Sequence, residues 1–482
     1  DAGRVRAGAA ARLILARTPA DTIGRTGSVA EWSIAPVLKT GGSQGPVSSN
    51  LTASARRGVT FAAQSRGWRH GLSLRTVAPS SVWLPLAARP GFDSLAALRR
   101  PMDLNMRWTL PTAGPWISER LDITAGKASG FDYLRIGLAM LIVCFHSIIT
   151  TQGAAAQSAF NRSTFGVAVL SLLPMFFALS GFLVAGSLER SRSLFVFLGL
   201  RVMRIFPALA LDTVFCALIL GPLFTTLPWP EYFAHPMFHA YLLNILGDIH
   251  YHLPGVFAGN PDSQVNGQLW TVPAELECYV LLAALAAAGI ARRRWLMLAL
   301  FALATAYFEW RLAELGGMAR GERLLVLCFI AGLLLHSFRD RIRFNPFLFT
   351  LSVAGIWLCL SNLELGYLIA LPAAYATVYL GLQNPRKSRL LASGDYSYGV
   401  FLYGFPLQQA LVASTPLART WYGNIALALP LALCAGVLSW HLVEKRVLAR
   451  KPLLFSAQQW LSAFWAGLGG LIRSRWRSAS AR

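Results

Sequence analysis

Two polar residues share one face of the first long apolar segment. Arg135 and His146 are separated by 11 residues, which in an α-helix is three turns plus about 20° and a rise of about 17 Å. Arg135 is therefore expected at one membrane boundary and His146 past the middle of a core about 30 Å thick. An imidazole there is neutral unless it is paired, which suits a general base. A histidine hydrogen-bonded within a helix bundle fits the same position, and the spacing leaves both interpretations open.

Two arginines stand just before the third apolar segment. Arg201 and Arg204 are related as i and i+3, so they project from the same side of a helix. Two guanidiniums on one face make a good phosphate clamp. They also fit the excess of basic residues that cytoplasmic connections carry. The pair therefore predicts either an anion site or only the orientation of the chain in a membrane.

A carboxylate opens the fourth apolar segment. Glu275 follows Pro273, which suits the first turn of a helix, so Glu275 is expected about one turn inside the outer membrane surface. There it would cap helix amides and complement the helix dipole, or act as an acid. Because His146 is also expected in the outer half of the bundle, the two are predicted to share an acid/base site.

Membrane-spanning helices must position these residues. The 482 residues are 55% hydrophobic and 14% charged, with a mean hydropathy of +0.48, against roughly 25% charged in ordinary soluble domains. The second apolar stretch carries Ser180-Gly181, which predicts close approach of a neighbouring helix or a ligand. The sequence predicts an all-α, polytopic integral membrane bundle of about ten transmembrane helices, near 132–152, 164–187, 205–225, 269–290, 295–313, 323–337, 345–361, 364–382, 396–415 and 421–442.

The basic residues predict how these helices are oriented. Every second connection between the predicted spans carries Lys or Arg, whereas residues 205–291 contain neither. Since basic connections face the cytoplasm, the 226–268 connection is predicted outside and both termini are predicted cytoplasmic. Arg311 and Arg320, in the outside connection 309–322, are a weak exception. The aromatic residues and histidines of 226–268 fit either a sugar site or an interfacial aromatic belt.

The net charge lies at the two ends of the chain. Residues 1–120 supply +10 and residues 445–482 supply +8 of the formal +22, so no nucleic-acid partner is expected. The composition of residues 1–120 predicts a disordered basic extension. This extension is either a mis-called start or an arm that lies on the membrane surface. The pattern of residues 448–482 predicts a basic amphipathic tail that lies on an anionic membrane leaflet. The six cysteines lie in apolar runs without CxxC spacing, so no metal site is expected.

The ordered motifs of 128–447 resemble the acyltransferase-3 family of integral membrane acyltransferases. Arg135 to His146 looks like the first-helix signature of that family. Four further segments are similar to its later motifs: Phe176–Leu183, Arg201–Pro207, Leu269–Tyr279, and Ser397–Tyr403 followed by Val443-Glu444-Lys445. Two positions depart from the pattern. Gly404 stands where many members have a histidine, and Leu276 stands where a second acidic residue often follows Glu275.

The resemblance implies a bacterial enzyme of the inner (cytoplasmic) membrane. It would move an acyl group, acetyl by preference, from cytoplasmic acyl-CoA to a hydroxyl of a cell-surface or periplasmic glycan or a lipid-linked saccharide. His146 would be the catalytic base, and Glu275 would orient His146 or the acceptor. Arg135, Arg201 and Arg204 would bind the donor's phosphates or hold the site in shape. Acyl-CoA would be a co-substrate, with membrane lipid as the surroundings and no permanently bound cofactor.

Two other functions fit the same composition. A carrier of a polar lipid or glycan would also have many spans with intramembrane charges, but no pair of corresponding broken segments is seen in two halves. An inactive, structural member of the family is disfavoured by the intact histidine and arginines.

Overall fold

The computed structural model describes residues 114–191, 193–314, 321–362 and 365–479, with side chains as far as residue 465. Residues 1–113 of the predicted extension lie outside the described residues. The last residues of that extension, predicted to be disordered, are ordered: Ile117 is 1% exposed, and its amide donates to the carbonyl of Ile342 at 3.0 Å. Ordered packing therefore begins before the predicted boundary at residue 120.

The described residues form helices, with two isolated β-bridges. The α-helices in chain order are α1 Ile117–Ile123, α2 Gly130–Asn161, α3 Thr164–Leu170, α4 Leu172–Ser191, α5 Leu194–Phe215, α6 Gly221–Phe224, α7 Trp229–Ala234, α8 Pro236–Tyr241, α9 Thr271–Ala287, α10 Arg294–Glu314, α11 Gly321–Ser337, α12 Pro346–Ser361, α13 Ala370–Gly381, α14 Arg389–Ser393, α15 Ser397–Ser414, α16 Trp421–Ser439, α17 Lys445–Ala449 and α18 Lys451–Ala479. The predicted all-α membrane bundle is confirmed, and the predicted C-terminal tail is helical.

Each of the ten predicted spans coincides with a helical segment. Within the described residues, six segments are long and apolar enough to cross a membrane: Gly130–Asn161, Thr164–Ser191, Leu194–Phe224, Gly267–Ala287, Arg294–Glu314 and Trp421–Trp465. Large apolar side chains are exposed on their outward faces, as for Leu141 at 52% and Leu303 at 68%, which fits contact with lipid tails. The number of ten spans and the side on which the termini lie remain predictions.

Small residues set the closest helix crossing, between α4 and α11. A Cβ added at Gly181 would meet the backbone of Phe329, and one added at Gly332 would meet the backbone of Ala178. The two backbones therefore touch reciprocally, as small residues permit in membrane helices. The close approach predicted at Ser180-Gly181 is therefore made by Gly181, which packs on α11. Ser180 instead faces a cleft that is described below.

The predicted basic connections gather at one end of the bundle, called here the basic end. Arg294 pairs with Asp340 at 2.9 Å, and Arg339 pairs with Glu189 at 3.2 Å. Lys387 pairs with Asp132 at the start of α2 at 2.5 Å. These contacts join the connections that precede α2, α5, α10, α12 and α15, so the alternation read from the sequence is present in the fold.

At the opposite end, the connection between α6 and α9 packs into the bundle. Buried Asn266 donates to Asp212 of α5 at 2.6 Å, and Tyr241 donates to Asn266 at 2.5 Å. Tyr232, which is also fully buried, donates to the carbonyl of Ala217 at 2.8 Å. These tyrosines therefore anchor the connection, whereas Trp229 is 63% exposed, as an interfacial residue would be.

The connection also bends α2. Gly153 has φ 80° and ψ 177°, a conformation open essentially to glycine alone. A Cβ there would lie 3.3 Å from the carbonyl oxygen of Pro261, so the kink lets the connection lie directly against α2. His146 belongs to the straight part of α2 below this kink.

Candidate active site

His146 lies inside the bundle, at 8% exposure. Its ring meets the ring of Phe405 on α15 edge-on at a centroid distance of 5.2 Å, and the Phe145 ring is 6.1 Å away. Within the described part of the chain, the imidazole makes no hydrogen bond. The alternative of a histidine hydrogen-bonded within the bundle is therefore not supported, because no bond among the described residues occupies the ring nitrogens.

A proline in α15 creates a polar contact beside His146. Pro406 has no N–H, so the carbonyl of Leu402, one turn earlier, loses its helical donor. Gln268, just before α9, donates from Nε2 to that carbonyl at 2.6 Å. A membrane interior holds no bulk water to satisfy such a carbonyl. Gln268 therefore ties the start of α9 to the helix that carries Phe405.

We expect Gln268→Leu to lower the melting temperature of the detergent-solubilised protein. The substitution leaves the Leu402 carbonyl buried without its added donor, at a cost of about 1–3 kcal/mol. Pro406→Ala returns the helical N–H to that carbonyl, so the same Gln268 substitution should cost clearly less in this background. Thermal unfolding of the four proteins of this cycle measures the coupling. If Gln268→Leu lowered the stability equally with Pro406 present and in the Pro406→Ala background, the proposed bond between Gln268 and the Leu402 carbonyl would be contradicted.

An apolar cleft opens between α4, α9, α11 and α15. The hydroxyl of Tyr279 donates to Glu275 Oε1 at 2.5 Å and lies 3.5 Å from Ser180 Oγ. Thr271 and Tyr398 are the other polar residues of the lining. The apolar walls are Leu173, Phe176, Phe177, Val272, Phe329 and Phe401. Apolar walls with a few convergent polar groups resemble the lining of small-molecule sites, and the free volume of about 20 Å³ means that the cleft must widen to take a ligand larger than a water molecule.

One face of α15 connects the cleft to His146. Tyr398, Phe401 and Phe405 follow each other at intervals of three and four residues, as neighbours on a helical face do. Tyr398 and Phe401 line the cleft, and Phe405 contacts His146. Phe405 lies about 6 Å beyond Phe401 along the helix. The cleft and the imidazole therefore lie at neighbouring levels of the bundle.

Glu275 lies nearer the arginines than the sequence predicts. Its partner Tyr279 lies under the guanidinium of Arg201, which is 5.7 Å from the ring centroid. Among the described residues, no hydrogen bond joins Glu275 to His146, and the shared acid/base site remains a prediction. The carboxylate of Glu275 is instead taken up by Tyr279, one turn later on the same helix.

Arg135 and Arg204 are paired with carboxylates at the basic end. Arg135 pairs with Asp395, and Arg204 pairs with Asp395 at 2.7 Å and with Glu444 at 3.1 Å. Glu444 is 1% exposed and also accepts from Ser439. Asp395 lies in the connection before α15; burial acts to raise the pKa of this carboxyl, but the two guanidiniums outweigh it and hold the pKa below its usual value. The two positive charges and the two negative charges of this cluster balance. The cluster therefore has little net positive charge with which to bind an anion.

Arg201 contrasts with them. It donates to Ser187 Oγ at 2.7 Å, and its guanidinium lies 5.7 Å from the ring centroids of Phe197 and Tyr279. Within the described residues it has no carboxylate partner, and its buried Nε has no hydrogen-bond partner. The two arginines predicted to form one clamp therefore contact different partners, and Arg201 is the member that keeps an unpaired charge.

Sequence reasoning missed three polar residues that organise this region. Asp395 could have been found as the acid immediately before the predicted ninth span, on the side where Arg135 and Arg204 are basic. Gln268 could have been sought as the donor that Pro406 requires. Asp212, a buried acid within the predicted third span, meets the same test of intramembrane charge that singled out His146.

The two departures from the family pattern have packing explanations. A Cβ at Gly404 would collide with the side chain of Val143 on α2, so α15 crosses α2 too closely for a larger residue. Leu276 points toward Gly247, where an added Cβ would lie 2.8 Å from its Cδ1. Among the described residues, no group of three or more His, Cys, Asp or Glu side chains is arranged to hold a metal.

Comparison with known proteins agrees with these motifs. A protein-family model described as an acyltransferase domain matches residues 129–444. An O-acetyl transferase of Shigella phage Sf6 is 28% identical over 349 residues, which cover 67% of this chain and 97% of the phage protein. No solved structure matches the chain.

Proposed function

Since the chain belongs to the acyltransferase-3 family and is a multi-pass membrane O-acyltransferase, we propose that it moves an acetyl group from acetyl-CoA to a hydroxyl of a glycan. The acetyl group is suggested by the name of the phage relative. The observation that carries the proposal is that an arginine without a salt bridge among the described residues, an apolar cleft and an imidazole without a hydrogen bond follow one another at neighbouring levels of the bundle.

The donor is proposed to enter at the basic end, which the positive-inside rule places in the cytoplasm, where acyl-CoA is made. Arg201 is assigned to the donor's phosphates because its charge is unpaired and guanidinium suits phosphate. Arg135 and Arg204 are assigned a positioning role. They join the start of α2, α5, the connection before α15 and Glu444 into one charged cluster, which holds the mouth of the cleft together.

The thioester is proposed to lie in the cleft. Its apolar walls suit the acyl chain, and Ser180, Glu275 and Tyr398 are the groups that would orient the polar end. Glu275 is held by Tyr279 at 2.5 Å, so its assigned role is to position Tyr279 and the donor. The face of α15 described above then brings the thioester carbon within about one helical turn of Phe405 and of His146 beyond it.

His146 is proposed as the general base. An acceptor hydroxyl gives its proton to the imidazole as its oxygen attacks the thioester carbonyl. The new O–C bond forms, the C–S bond breaks, and the proton passes to the leaving thiolate to give free CoA. An imidazole suits this exchange because its ordinary pKa lies close to neutrality.

The acceptor is proposed to approach from the end formed by the connection between α6 and α9. Gln268 links that connection to α15 beside Phe405, so a glycan bound there would present its hydroxyl toward His146. The opposite entry of donor and acceptor is the physical reason for placing the base between them.

Deleting the gene should remove an acyl ester from a surface or periplasmic glycan. Mass spectrometry of glycans from the deletion strain and its parent, before and after alkaline de-esterification, is the direct test. We expect the acetyl mass in the parent only, and only before alkali. Unmodified glycan of unchanged composition that accumulates on the wrong side of the membrane would instead indicate a carrier and overturn the proposal.

A further inference from the structure

One wall of the cleft is built from two phenylalanines on different helices, each about one helical turn from a polar residue of the lining, Ser180 on α4 and Tyr398 on α15. Phe176 of α4 and Phe401 of α15 are stacked, with ring centroids 6.4 Å apart and an interplanar angle of 25°. Both rings line the cleft. Because the stack bridges α4 and α15, it closes the apolar side of the space that Glu275 and Ser180 border.

The neighbouring walls have little room to yield. Phe177 is 4% exposed and Phe329 is 1% exposed. Behind them, the backbones of α4 and α11 touch at Gly181 and Gly332, so moving these helices apart would break a close-packed contact. Packed interiors respond to even one added methylene. A chain extended into this side of the cleft would therefore have to displace the Phe176–Phe401 stack.

We propose that the Phe176–Phe401 stack sets the upper limit on acyl-chain length, so that the enzyme selects acetyl donors over longer ones. This inference rests on the proposed function, in which the donor's acyl group occupies the cleft. The polar end of the thioester faces Glu275, Ser180 and Tyr398, and the alkyl end faces the two rings. Butyryl carries two methylenes more than acetyl, so it demands a larger displacement of the stack.

The test is a competition between two donors. Membranes of the deletion strain, complemented with each variant, contain the native acceptor and are supplied with equimolar acetyl-CoA and butyryl-CoA. Mass spectrometry then gives the ratio of butyryl to acetyl esters on the glycan. Phe176→Leu and Phe401→Leu should each raise this ratio by about 10-fold or more, since a methylene in an apolar pocket discriminates by about 10–200-fold. Two separate variants protect the test against a folding defect in either.

Phe182→Leu is the matched control, because Phe182 is a buried phenylalanine on the same helix that packs against Phe131. Its ratio should equal that of the unaltered protein. Retained acetyl transfer with an unchanged ratio in both cleft variants, or an equal rise in the control, would overturn the inference and leave the proposed function standing. Failure of the unaltered protein to transfer acetyl at all would overturn the proposed function, and the inference with it.

Discussion

The His146→Ala variant should transfer acyl groups about 10²–10⁴-fold more slowly than the unaltered protein, which is the usual contribution of a positioned base. The buried imidazole is held by ring contacts with Phe405 and Phe145, and these contacts orient it without occupying its nitrogens. Alanine keeps α2 helical and removes the group that takes the acceptor's proton. The measurement is the initial rate of label transfer from radioactive acetyl-CoA to glycan in complemented membranes at matched expression.

Two further variants separate loss of the base from loss of packing. His146→Gln keeps much of the side-chain volume beside Phe405 but has no basic nitrogen, so it should be as inactive as the alanine variant. His441→Gln removes an exposed histidine that follows α16, away from the connection proposed for the acceptor, and should be fully active. A rate near that of the unaltered protein in His146→Ala, with normal yield and melting temperature, would rule out the base assignment.

The helices could be predicted from the sequence because a membrane core fixes the length of an apolar run. Every predicted span therefore coincides with a helix. How those helices pair could not be predicted in the same way. The crossing of α4 with α11 depends on Gly181 and Gly332 meeting each other's backbones, and nothing in either segment alone identifies its partner.

The part of the candidate site that lies on a single helix was predictable from the sequence. The interval between Arg135 and His146 lies within α2, above the basic end and below the kink at Gly153, so helical geometry holds across it. Partners from distant segments were not predictable from spacing. Asp395 lies 260 residues after Arg135, and the depth of Glu275 depends on how far the preceding connection packs into the bundle. Hydropathy shows that a segment is apolar, but it does not show how deeply a polar connection packs between the helices.

Arg204→Ala should destabilise the protein far more than Arg201→Ala. Removing Arg204 leaves Glu444, which is 1% exposed, without its cation and leaves Asp395 with Arg135 alone. Breaking a buried ion pair costs about 3–5 kcal/mol, and the partial exposure of Arg204 and Asp395, at 22% and 26%, lowers the cost toward the bottom of that range. Arg201→Ala removes a hydrogen bond to Ser187, worth about 0.5–1.5 kcal/mol. Melting temperature and yield in detergent measure both effects.

The KM for acetyl-CoA should distinguish the same two variants in the opposite order, with the larger effect in Arg201→Ala. Arg201→Ala should raise the KM for acetyl-CoA while the protein remains folded, because Arg201 has no salt bridge among the described residues and so keeps positive charge for a phosphate. The double variant Arg204→Gln with Glu444→Gln should recover much of the stability lost in Arg204→Ala, since it removes the uncompensated carboxylate together with the cation. An Arg204→Ala protein of normal stability with a raised KM would reverse the assignment: Arg204 would then bind the donor, and its two carboxylates would have to release it when acyl-CoA arrives.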